Sequence, residues 1–62
     1  MKDMQAQAER LRTEAAECAL IRDLATEPHK RELFNRLAEH LNRLAAEVEM
    51  AIVSHASVTA NG

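Results

Sequence analysis

Pro28 is the only residue between Met1 and Asn61 that breaks a helix, because the single glycine of the chain is Gly62. A chain with one interruption has two main options. Either two helices meet at a turn beside Pro28, or one rod runs through it with a kink. From Asp3 to Ala25 the residues are mostly Ala, Glu, Gln, Leu and Arg, all strong helix formers. Apolar positions recur at Met4, Ala8, Leu11, Ala15 and Cys18 and continue through Ile21 and Leu24 or Ala25, in steps of four and three. A second stripe, Phe34, Leu37, Leu41, Leu44, Val48 and Ile52, is widened by Leu33, Ala38, Ala45 and Ala51. Each stripe lies along one side of a helix.

The segment Thr26-Glu27-Pro28 separates the two patterns. Thr26 can serve as N-cap, with Pro28 in the first turn, where its missing N–H has no intrahelical partner to lose. Pro28 also disfavours helical dihedrals at Glu27, which argues for a turn. The expected fold class is therefore all-α: a hairpin over residues 1–54, with a helix over about 3–25, a turn over about 26–28 and a second helix over about 28–53. So short a connection sets consecutive helices antiparallel. The continuous rod stays open, since no glycine marks the end of the first helix. Residues 55–62 are small and polar with no apolar period, and are expected to form a disordered tail.

Composition limits what such a hairpin can bury. Twelve residues are alanine, and the large apolar side chains number only 16, with Phe34 the sole aromatic. The expected core draws Leu11, Cys18, Ile21 and Leu24 from the first helix and Phe34, Leu37, Leu41, Leu44 and Val48 from the second, with Ile52 at the edge. The second stripe is wider than the seam between two helices. Its excess predicts a second interface, with another copy or with a different protein. With one cysteine and no evident metal site, a partner chain is the remaining stabiliser for so small a core. Pairing of two hairpins into a four-helix bundle is the expected assembly.

The formal net charge of −2 comes from eight Lys/Arg against ten Asp/Glu, with both signs interleaved. A nonspecific nucleic-acid binder would instead show a clustered basic excess. Cys18 is the only cysteine, and no signal-peptide pattern opens the sequence, which together predict a reducing cytoplasm. The longest uncharged stretch, Met50 to Gly62, is too short and too polar to span a bilayer.

The candidate sites each have a structural reading. Cys18 falls on the apolar stripe, where it acts as a small hydrophobe; the alternative is a reactive thiol. His29, His40 and His55 are separated by 11 and 15 residues and include no Glu-x-x-His pair, so solvated side chains are expected rather than ligands of a metal. The cluster His29-Lys30-Arg31 lies near a helix N-terminus and is a candidate anion contact. Alternatively, Lys30 and Arg31 reach back to the last carbonyls of the first helix. No catalytic signature is present, and neither enzyme activity nor a cofactor is expected.

The stretch Glu17-Cys18-Ala19-Leu20-Ile21-Arg22-Asp23-Leu24-Ala25-Thr26-Glu27-Pro28 is followed by Arg31, Leu33-Phe34, Leu37-Ala38-Glu39 and Leu44-Ala45. It resembles a group of small uncharacterised alphaproteobacterial proteins over about residues 15 to 49. Those proteins show a Cys in the first helix, an Ala-Thr-Asp-Pro turn and two Leu-Ala pairs in the second helix. Glu27 replaces the usual Asp here, and Leu41 stands where many of them have Trp. The resemblance implies a helical hairpin in a bacterial cytoplasm and carries no activity. The expected function is a noncatalytic, self-associating interaction or regulatory module. The alternative is a small RNA-binding hairpin dimer similar in architecture to the Rop protein of plasmid copy control, a reading that the acidic balance weakens.

Overall fold

The computed structural model describes residues 2–61, with side chains for residues 3–55. It contains two helices, α1 over Lys2–Leu24 and α2 over Pro28–Asn61. They pack against each other along their length as an antiparallel hairpin measuring 53 × 15 × 11 Å. The rod is thereby excluded, and no strand occurs among the described residues.

The turn follows from Pro28. Proline holds the residue before it in an extended conformation, so Glu27 stays outside the helix while its carbonyl accepts the first intrahelical bond, from the Arg31 N–H at 3.0 Å. Glu27 is therefore the N-cap residue, where Thr26 was the expected one, and Pro28 takes the first helical position. At the end of α1, the Ala25 N–H donates to the Arg22 carbonyl at 3.2 Å, a tightened last turn. Arg31 then ties the two ends together, its Nη2 donating to the Ala25 carbonyl at 3.2 Å.

α2 differs from the expected helix at its far end. It continues through Asn61, eight residues beyond the expected stop at Val53, so the expected disordered tail is helical backbone as far as Asn61. Gly62 lies outside the described residues. The apolar period fades after Val53, but fading removes only packing. No glycine or proline interrupts the backbone between Pro28 and Gly62, and the helix runs on through Asn61.

The seam between the helices is lined by small side chains. Among the described residues those buried are Ala8, Leu11 and Ala15 from α1 with Ala38 and Ala45 from α2, and no large side chain there is fully buried. Two seven-residue rows run along each helix: Met4-Leu11-Cys18-Ala25 and Ala8-Ala15-Arg22 on α1, Phe34-Leu41-Val48 and Ala38-Ala45-Ile52 on α2. This is the spacing of a coiled-coil seam. One row on each helix is rich in alanine, and small residues let two helices approach closely. The exposures correct the expected core. Ile21 and Leu37 are each 37% exposed and Leu24 is 72% exposed, so all three lie outside the seam. Cys18, Phe34, Leu41, Val48 and Ile52 are half-buried within the seam rows, and Leu44 is half-buried beside them.

Candidate functional site

The same seven-residue arithmetic sorts the rest of the surface into two rims beside the seam. Gln5, Arg12 and Ala19 of α1 run along one rim, opposite Asn35, Asn42 and Glu49 of α2. That rim is closed by polar contacts. Arg12 donates through Nη2 to Glu49 Oε1 at 2.7 Å, through Nε to Glu49 Oε2 at 3.4 Å, and through Nη1 to Asn42 Oδ1 at 3.0 Å. Nearer the turn, Arg22 donates through Nη1 to Asn35 Oδ1 at 2.9 Å and through Nε to Asp23 Oδ1 at 3.0 Å. The hydrogen bond from Arg12 holds the Glu49 carboxyl below the usual carboxylate range; partial desolvation opposes the shift and the Arg12 charge adds to it. The same hydrogen bond raises the guanidinium pKa of Arg12. These contacts also fix the register. Arg22 faces Asn35, and Arg12 reaches both Asn42 and Glu49, so the residue numbers of facing positions add to about 57.

The other rim carries Gln7, Glu14 and Ile21 from α1, opposite Lys30, Leu37, Leu44 and Ala51 from α2. Further out on that flank lie Arg10, Glu17 and Leu24 on α1 and Leu33, His40 and Glu47 on α2. Ile21, Leu24, Leu33, Leu37 and Leu44 thus form an apolar flank at the turn end of the hairpin. Leu33 is 47% exposed and Leu24 more so, and only Leu44 of the five is half-buried. Leu20, 59% exposed and one helical turn before Leu24, borders the flank. Met50 and Val53 are also exposed but lie outside it, towards the open end of α2. The flank continues to Leu44 and ends there, because the level of α1 opposite Leu44 is occupied by Glu14.

The other candidates take structural roles or remain scattered. Arg31 contacts the Ala25 carbonyl, the reach-back arrangement, while His29 and Lys30 are exposed beside it. His40 is exposed beside an open depression of about 420 Å³ lined by Arg36, Leu37, Glu39, His40 and Arg43 on α2 alone. Among the described residues, no group of three or more His, Cys, Asp and Glu is placed to hold a metal ion. No described helix is long and apolar enough to cross a membrane.

The excess apolar width expected of α2 is joined on this flank by Ile21 and Leu24 of α1, expected in the core, with Leu20 at the border. The four-residue spacing of Leu20 and Leu24, off the Met4-Leu11-Cys18 row, is the signal that marks it. Compared with family models, with curated proteins and with solved structures, the chain matches none.

Proposed function

We propose that this chain is a noncatalytic interaction module that self-associates through the flank of Ile21, Leu24, Leu33, Leu37 and Leu44, two hairpins making a four-helix bundle. One observation carries the reading: bulky aliphatic side chains are collected on one rim at one end of the hairpin, while the seam buries alanines and Leu11. Transfer of apolar surface out of water is the main driving force for association, and here most of the available large side chains lie outside the fold's own seam.

Light scattering over a concentration series tests the reading. A molar mass of two chains, with helix content that falls on dilution, supports it; the mass of one chain with a cooperative, concentration-independent melt overturns it.

A second reading draws on Arg36, His40 and Arg43, which follow one another along the outward side of α2. Such a row suits phosphate contacts in a small RNA-binding hairpin dimer. Glu32 and Glu39 stand among these residues and the chain is net acidic, so the apolar flank remains the better-supported surface. A complex with a structured RNA whose affinity drops steeply with salt would favour the RNA reading; no binding at low salt removes it.

A further inference from the structure

We infer that the second copy docks with its turn beside the first chain's turn, related by a two-fold axis parallel to the helices. This rests on the self-association reading and adds the orientation of the partner. The flank differs between its two ends. Ile21, Leu24, Leu33 and Leu37 occupy the turn end, and Gln7, Arg10, Glu14 and Glu47 occupy the open end. A two-fold axis perpendicular to the helices would lay the leucines of one copy on the polar end of the other, desolvating charges against aliphatic side chains. An axis parallel to the helices lays the apolar turn end on the apolar turn end and the largely polar open end on its like.

The register gives a second, independent argument. With turns together, α1 of one copy lies antiparallel to α2 of the other at the levels used within the hairpin, where facing residue numbers add to about 57. Ile21 then meets Leu37 of the second copy, and Leu24 meets its Leu33. Along the outer edge, Glu17 meets His40 and Arg10 meets Glu47. Ile21–Leu37 and Leu24–Leu33 are thus matched apolar with apolar and Arg10–Glu47 base with acid, while Glu14 comes level with Leu44 on the inner row. Opposite charges at such edges set partner orientation more than they add affinity. All neighbouring helices in this assembly are antiparallel, as bundle packing favours.

Two measurements test the orientation. In the first, Thr26→Cys in a Cys18→Ala background carries a nitroxide at the exposed turn, and pulsed electron resonance reads the distance between the two labels of the dimer. Turns together predict a separation under about 25 Å. Turns at opposite ends predict roughly the length of α1, about 35 Å at 1.5 Å per residue, or more. The second uses unlabelled protein and charge reversal at the edge. Arg10→Glu and Glu47→Arg should each weaken the dimer about two- to fivefold, and the double variant should return to within twofold of the original. A dimer with long label separation, or one in which the double variant is weaker than both singles, overturns the orientation and leaves self-association standing. A chain that stays monomeric overturns both.

Discussion

The two rims of the hairpin are built on one spacing and completed in different ways. On one, Arg12 bridges to Asn42 and Glu49 and Arg22 bridges to Asn35, so both arginines reach across the seam to the other helix. On the other, Ile21 and Leu37 come level with each other and are left 37% exposed. The polar rim is completed within one chain by hydrogen bonds. Apolar side chains of a two-helix hairpin have no third layer to cover them, so the second rim stays open to solvent in one chain and is covered by a second copy in the proposed dimer. A hairpin can thus separate its register-setting contacts from its binding contacts by placing them on opposite sides of one seam.

The comparison breaks most sharply on the apolar side. The double variant Ile21→Asp, Leu37→Asp puts four carboxylates into the centre of the dimer interface, and sedimentation should show self-association weakened at least a hundredfold. Next in size is the seam on which both rims depend. Ala45 is fully buried, and Ala45→Leu forces the helices apart, lowering stability by about 1–3 kcal/mol in urea unfolding at fixed protein concentration. On the polar rim the effects are smaller. Glu49 has its pKa lowered in the folded chain, so its pairing with Arg12 contributes above the ordinary carboxylate range and is lost as pH falls through its depressed value. Glu49→Gln should therefore flatten the acid side of the stability profile slightly and leave neutral-pH dimerisation unchanged, because an exposed ion pair contributes little. Smallest of all, Met50→Lys changes a side chain that is exposed yet lies on neither rim, and both stability and dimer affinity should stay within about 0.5 kcal/mol of the original.

Much of this architecture was legible from residue spacing. Pro28 located the turn, and the width of the second stripe pointed to a face beyond the hairpin's own seam. Which face is inside was less legible. Leu24, Ile21 and Leu37 were expected in the core because large apolar residues gain most from burial, yet Ala8, Ala15, Ala38 and Ala45 occupy it. Spacing alone does not separate a row that packs between helices from one that flanks it when both are apolar; the choice depends on how closely the backbones approach. The N-cap moved from Thr26 to Glu27 because the constraint from Pro28 outweighs the preference for a hydroxyl side chain. The extent of α2 is not legible from the apolar period, which fades after Val53 while the helix continues through Asn61 with no glycine or proline before Gly62.

The alanine-lined seam has a mechanical side. A slip by one seven-residue repeat, about 10 Å along the helix, would bring Arg22 or Ile52 against the short alanine rows and unseat Leu11, Phe34, Leu41 and Val48 from theirs. The connector also prevents the slip. Ala25, Thr26 and Glu27 already span the gap between the helices and have no slack for a further 10 Å. The turn therefore acts as a ruler for the whole molecule. Cutting the chain there would release one helix to travel along the other, and the level pairing of Ile21 with Leu37 would be lost with it.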